Sequence, residues 1–91
     1  MARETTEQLQ ERMDSAERLV PKGRIIRHVR TGGEYLVRGH SLRVGDLALM
    51  VNYSPRVGPV IVFSRELLGI RSKFVLADGE EWPDARSNGE G

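Results

Sequence analysis

The sequence predicts a mainly β protein, a small closed barrel of five strands with one helix in front of it and an acidic tail behind it. From Arg24 onward, apolar residues recur at every second position and β-branched residues become common, which is typical of strands. Glycine, proline and aspartate interrupt this pattern at short intervals, as tight turns require. With 91 residues the chain has room for one domain. We therefore predict a helix over 1–20, a basic β-barrel domain over 21–76 and a disordered tail over 77–91.

The first element is an amphipathic helix over residues 4–20. Thr5 and Gln8 have the spacing of a capping box, and Pro21 and Gly23 end the helix. Four apolar residues recur at intervals of four, three and four and share one face: Leu9, Met13, Ala16 and Val20. This stripe must either pack on the barrel or pair with a copy of itself. We predict the second arrangement, a homo-oligomer and in the first instance a dimer, with these four residues as its interface.

Five strands follow the helix. Thr31-Gly32-Gly33 makes the first turn, Gly39 marks a bulge or bend, and the third strand is apolar enough to be central. The predicted strands are 24–30, 34–44, 47–53, 59–64 and 72–76, with a short helical turn at 65–69. The tail is rich in glycine, acidic residues and serine, which favours disorder, and Trp82 is the residue there that could dock.

Charge is distributed unevenly along the chain. Residues 21–76 hold ten basic and three acidic side chains, a net charge of +7, whereas the flanking segments 1–20 and 77–91 carry −2 and −4. Eight of the ten cations are arginine, whose planar fork suits phosphate and carboxylate groups. A domain of this charge attracts anions. Internal neutralisation by Glu34, the acidic helix and the acidic tail is the competing explanation.

Several classes of protein are disfavoured by composition. There is no cysteine, so disulfides and thiolate metal sites are excluded, and no apolar run approaches the about 20 residues of a membrane span. The beginning of the chain lacks the features of a signal peptide, so we expect a cytoplasmic protein. The two histidines, His28 and His40, have no carboxylate at ligand spacing, and no acid–base or metal set can be assembled. We predict a non-enzymatic protein without a cofactor.

The candidate site is a basic face on the first two strands. Alternation places three basic side chains, Arg24, His28 and Arg30, on one face of the first strand. It places two more, Arg38 and His40, on the second strand. Two tyrosines, Tyr35 and Tyr53, are the candidate stacking rings. Like charges at this spacing require a neutralising partner, which predicts capture of a phosphate-bearing ligand, in particular a nucleotide. A protein-interaction module and a nucleic-acid-binding regulator remain alternatives.

One stretch of the chain resembles a known family. Residues 27–39, Arg-His-Val-Arg-Thr-Gly-Gly-Glu-Tyr-Leu-Val-Arg-Gly, are followed fourteen residues later by Tyr53, then by Val62-Phe63-Ser64-Arg65 and Phe74. This pattern is similar to the small bacterial and phage family catalogued as domain of unknown function 1653. The turn is one residue longer here, the family's His-Ser-Glu falls at Arg43-Val44-Gly45, and Glu66 stands where proline is typical.

The resemblance implies a compact SH3-like barrel and an association with phages or prophages. In that setting a small protein that captures nucleotides would act in the host cytoplasm. It could sequester a host immune signal and so serve as a counter-defence protein.

Overall fold

The computed structural model describes residues 5–83, which form a five-stranded antiparallel sheet and two helices. Along the chain the elements are α1 (Thr6–Leu19), β1 (Ile25–His28), β2 (Glu34–Leu42), β3 (Leu49–Pro55), β4 (Phe63–Glu66), α2 (Leu67–Lys73) and β5 (Phe74–Leu76). The mainly β architecture with a leading helix is confirmed. Within the described residues, neither helix is long and apolar enough to cross a membrane.

Local side-chain chemistry sets the start of helix α1. The Thr5 hydroxyl accepts a hydrogen bond from the Gln8 backbone N–H at 3.1 Å, and the Gln8 side-chain oxygen accepts one from the Thr5 N–H at 2.8 Å. This reciprocal capping box satisfies two backbone donors that a helix start leaves without intrahelical partners. After the helix, Gly23 takes a φ of +89°, a left-handed conformation that glycine adopts without strain. Both predicted boundary signals are confirmed.

The apolar stripe of α1 is covered by the sheet of the same chain. Ala16 and Val20 are completely buried in the hydrophobic core, and Leu9 and Met13 are half-buried. The helix contacts β2 and β3. The prediction that this stripe forms an oligomer interface is therefore wrong for Ala16 and Val20, because an intramolecular surface already removes both side chains from water.

The strands lie in the order β4-β3-β2-β1-β5, and every neighbouring pair is antiparallel. Strand β3 is paired on both sides, as its apolar composition predicts. In the β2–β3 register Val37 pairs with Tyr53 and Gly39 pairs with Asn52, so Arg38 is the extra residue of a β-bulge. The irregularity predicted at Gly39 is thus present, one residue earlier.

The sheet is open between β4 and β5, so the prediction of a closed barrel is wrong. The two edge strands have only four and three residues. Helix α2 joins them and contacts both, as well as β3, burying Leu67 and Ile70. It extends from residue 67 to 73, beyond the turn predicted at 65–69, and so removes Ser72 and Lys73 from the expected fifth strand. We call the opening between the two edge strands the seam.

The first residues of the predicted tail pack on the sheet. The backbone N–H of Ala77 donates to the Ile25 carbonyl at 2.9 Å, and the indole N–H of Trp82 donates to the Phe74 carbonyl at 3.0 Å. Trp82 is half-buried against the core. We call residues 77–83 the C-terminal strap. The remainder of the predicted tail, 84–91, lies outside the described residues.

Candidate anion-binding cleft

A small cleft opens at the seam of the sheet. Its volume is about 360 Å³, and its lining combines three cationic side chains with an imidazole and one aliphatic residue. The lining residues are His28, Val29, Arg30, Arg65 and Lys73. Only two of them, His28 and Arg30, belong to the predicted ligand-binding set. We call this site the basic cleft.

Backbone pairing brings these five residues together from three elements. His28 ends β1 and pairs with Phe74 of β5, and the Val29 N–H donates to the Lys73 carbonyl at 3.0 Å. These bonds fix the residues after β1 beside the end of α2. Arg65 reaches the same place from β4, where it pairs with Val51. The cleft therefore depends on the open seam, because pairing between β4 and β5 would fill it.

His28 is oriented by the turn that follows it. Its Nδ1 accepts hydrogen bonds from the backbone N–H groups of Arg30 and Thr31, at 3.2 and 3.3 Å. Since Nδ1 accepts, the neutral ring carries its proton on Nε2. His28 also contacts the Phe74 ring edge-on, with ring centroids 4.9 Å apart. The imidazole is thus held in place with one N–H donor remaining for a ligand.

Arg65 is held by aromatic groups. Its Nε donates to the Tyr53 hydroxyl at 3.4 Å, and its guanidinium carbon lies 5.8 Å from the centre of the Phe74 ring. Cation–π contact of this kind stabilises the cation without neutralising its charge. The terminal nitrogens of Arg65 therefore stay positive at the wall of the cleft.

The cations of the cleft have no acidic partner among residues 5–83. Within those residues, Arg24, Arg27, Arg43 and Arg56 each form an ion pair with a carboxylate. Of the six other cations between 21 and 76, three surround the cleft: Arg30, Arg65 and Lys73. Internal neutralisation thus accounts for part of the domain's positive charge, and half of the remaining cations lie at this one site.

The predicted arginine cluster is not assembled. Arg24 precedes β1 and binds Asp78 of the strap at 2.7 Å and Glu80 at 3.6 Å, whereas Arg30 lies beyond the other end of the strand. The Glu80 backbone N–H, helped by Arg24, lowers the pKa of Asp78 below its ordinary value. Arg38 is the exposed bulge residue of β2 and is not part of the cleft lining. The prediction failed because it placed these three side chains on a common face from periodicity alone.

His40 and the two tyrosines also have other environments. The ring Nε2 of His40 lies 2.7 Å from the carbonyl of Val20, the C-cap residue of α1, and His40 is not part of the lining of the basic cleft. Tyr53 is buried, and its ring contacts Tyr35, Phe63 and Phe74. A buried ring cannot stack on a base, so this role is wrong for Tyr53.

A second groove of about 530 Å³ contains Tyr35. The half-buried Tyr35 ring lines it together with Pro55, Val57 and Phe63. This groove shares no lining residue with the basic cleft, and it is mainly apolar apart from the ion-paired Glu34 and Arg56. Tyr35 therefore belongs to a different surface from the basic cleft.

Sequence reasoning missed Arg65 and Lys73. The signal that could have found Lys73 is the spacing of Leu67, Ile70 and Phe74, three and then four residues apart, which predicts a helix through 73. Nothing local places Arg65 beside His28, since that proximity depends on the sheet topology.

Comparison of the chain with models of protein families, with curated proteins and with solved structures finds no match. The resemblance described from the sequence remains a prediction. Among residues 5–83, no group of three or more histidine and acidic side chains could hold a metal ion.

Proposed function

We propose that this protein is a binding protein that takes a small phosphate-bearing ligand, in particular a nucleotide, in the basic cleft. The observation that carries the proposal is the convergence of Arg30, Arg65 and Lys73 on one cleft in which no described carboxylate pairs with them. Burying or crowding like charges is unfavourable unless an anion neutralises them. A phosphate group supplies the charge and the acceptor oxygens that these donors need.

The dimensions of the cleft favour a small ligand over a nucleic-acid strand. Its volume of about 360 Å³ falls at the lower end of ligand sites. Strand binders need a longer basic groove with exposed aromatic rings, whereas Tyr53 and Phe74 are buried and the more exposed Tyr35 and Phe63 line the separate groove. We therefore favour a nucleotide whose phosphate contacts the cations and whose sugar or base extends over the exposed Val29.

The expected affinity is weak. Charge-assisted hydrogen bonds contribute about 1.5–3 kcal/mol each, so three of them contribute about 4.5–9 kcal/mol together. The freedom lost on binding costs about 4 kcal/mol or more, which leaves at most about −5 kcal/mol and a dissociation constant of about 0.2 mM or weaker. No step of chemistry is needed, so the ligand should be recovered unchanged after binding.

Calorimetry with inorganic phosphate and a series of mononucleotides and cyclic dinucleotides tests the proposal. Arg30→Ala and Lys73→Ala should each weaken binding of the best ligand by about tenfold or more. Arg38→Ala is the matched control, because it removes an exposed arginine of the same domain that lies outside the cleft. Arg65→Ala is less informative, since Arg65 also contacts Tyr53 and Phe74.

Three results would contradict the proposal. The first is the absence of heat with every phosphate compound at low salt. The second is an equal loss of affinity in Arg38→Ala and Arg30→Ala, which would indicate attraction by overall charge. The third is preference for single-stranded oligonucleotides with a steep dependence on salt, which would favour the nucleic-acid alternative. Analysis of the recovered nucleotide by chromatography checks that it is not converted.

A further inference from the structure

The loop before β4 exposes an unusual amount of apolar surface. The exposed fractions are 85% for Val57, 78% for Val60, 49% for Ile61, 55% for Val62 and 41% for Phe63. We call residues 57–63 the edge segment. Scattered single apolar residues on a surface are ordinary, but a contiguous apolar patch on a small domain marks an interaction site.

The edge segment leads into a free edge of the sheet. Strand β4 is the outer strand on one side, so one row of its backbone groups has no strand partner among the described residues. The opposite edge, β5, is accompanied by the C-terminal strap, whose Trp82 indole binds the Phe74 carbonyl. Strand β4 is short and carries Arg65 and Glu66, which discourages pairing along its edge, so the apolar run before it is the part of this edge left to be covered.

We propose that the edge segment packs against the edge segment of a second copy of this chain, around a two-fold axis. The run from Val57 to Ser64 carries no charge, although 30% of the chain is charged. Superposition of this run on itself therefore brings no like charges together within it, and Arg56 and Arg65 lie just outside its two ends. No residue of the edge segment lines the basic cleft, so this proposal does not rest on the ligand proposed there.

The groove beside the edge segment gives a copy of the chain a place to insert. Its walls include Tyr35, Pro55, Val57 and Phe63, and its volume is about 530 Å³. One chain thus presents an exposed apolar segment that forms part of the wall of a mainly apolar groove. Two copies related by a two-fold axis would each insert the edge segment into the groove of the other. The same contact would then cover both the exposed segment and the groove.

The apolar area is compatible with a weak, reversible dimer. The five exposed side chains amount to about three fully exposed ones, or roughly 200–350 Å² of apolar surface per chain. Interfaces at the small end of the specific class bury about 600 Å² per partner, of which about 60%, or about 360 Å², is apolar. The edge segment alone supplies slightly less than this, and Tyr35 and Pro55 of the adjoining groove add to it, so the expected dissociation constant is on the order of 100 μM.

Sedimentation equilibrium across a concentration series, from about 1 to about 300 μM, tests this inference. The mass should rise from 10.2 kDa toward twice that value. Val62→Asp should remain monomeric over the whole range. Val44→Asp is the matched control, since Val44 is 93% exposed in the turn between β2 and β3, away from the edge segment, and this variant should dimerise as the unmodified chain does. Circular dichroism confirms that both variants are folded, and Val60→Asp replaces Val62→Asp if the latter is not.

The chain has no cysteine, which allows a second and more specific measurement. Val62→Cys, placed close to the proposed axis, should form a disulfide-linked dimer under mild oxidation far faster than Val44→Cys. A monomeric mass at the highest concentration, equal dimerisation of Val62→Asp and Val44→Asp, or equal cross-linking of the two cysteine variants would each overturn the inference. Masses that grow beyond the dimer would show open-ended association and would overturn the two-fold arrangement.

Discussion

Replacement of Trp82 by alanine should destabilise the whole domain, although the residue lies in a segment whose composition predicts disorder. Trp82 is half-buried against the core, and its indole N–H donates to the Phe74 carbonyl at 3.0 Å. Removal of a fully buried large aromatic side chain costs about 3–5 kcal/mol, so a half-buried one should cost about 2 kcal/mol. The lost hydrogen bond adds about 1 kcal/mol.

The total of about 3 kcal/mol is large for a domain of this size. Each kcal/mol lowers the melting temperature of such a domain by about 4–8 °C, so Trp82→Ala should melt about 12–24 °C below the unmodified chain. Differential scanning calorimetry measures this shift. Trp82 is the only tryptophan, so its fluorescence also reports directly whether the indole is shielded from water.

Two variants serve as controls. Trp82→Phe keeps an aromatic ring but loses the indole donor, and it should cost about 1 kcal/mol. Deletion of residues 84–91 removes none of the contacts described for residues 5–83, so its melting temperature should stay close to that of the unmodified chain. A melting temperature for Trp82→Ala within about 2 °C of the unmodified chain would refute the reasoning, because the strap would then contribute nothing to the fold.

Three further outcomes are expected. Thr5→Ala should reduce the free energy of unfolding by about 1 kcal/mol in urea titrations, because it breaks the capping box of α1, and Gln10→Ala on the exposed side of the same helix should change it much less. Ala16→Asp should abolish cooperative unfolding seen by circular dichroism, since it places a charge at a completely buried position. Arg43 donates to Asp46 and lowers its pKa to about 2, so the stability gained from this pair is complete above about pH 4 and is lost as the pH falls through 2. Asp46→Asn should therefore have a lower free energy of unfolding than the unmodified chain at neutral pH, and this difference should disappear as the solution is acidified.

Local signals in the sequence were enough for the elements that depend on neighbouring residues. The start of α1 follows from Thr5 and Gln8, and the turn after β1 follows from the paired glycines, where Gly32 has a φ of +79°. The bulge of β2 was signalled by Gly39 and lies beside it. Each of these features is decided within a few residues, so pattern and propensity suffice.

Features that depend on distant residues were not predictable in the same way. Closure of the sheet required β4 and β5 to meet, and helix α2 keeps them apart. The partner of Arg24 is Asp78, 54 residues away. The basic cleft combines the ends of β1 and α2 with one residue of β4. The predicted cluster shares only His28 and Arg30 with this cleft, and the other members could be assigned only once the strand order was known.

The pairing of β1 with β5 has a consequence for how the protein folds. It joins Ile26 to Leu76, fifty residues further along the chain, whereas the β2–β3 hairpin is closed by a short turn. Contacts over so long a separation bear the larger loop-closure entropy, so β5 should dock after the hairpin has formed. Lys73 directly precedes β5, so the part of the cleft that Lys73 lines is then among the last parts of the molecule to form. A ligand that fits there would bind only the completed fold, slow its unfolding and protect the amides of β5 from hydrogen exchange.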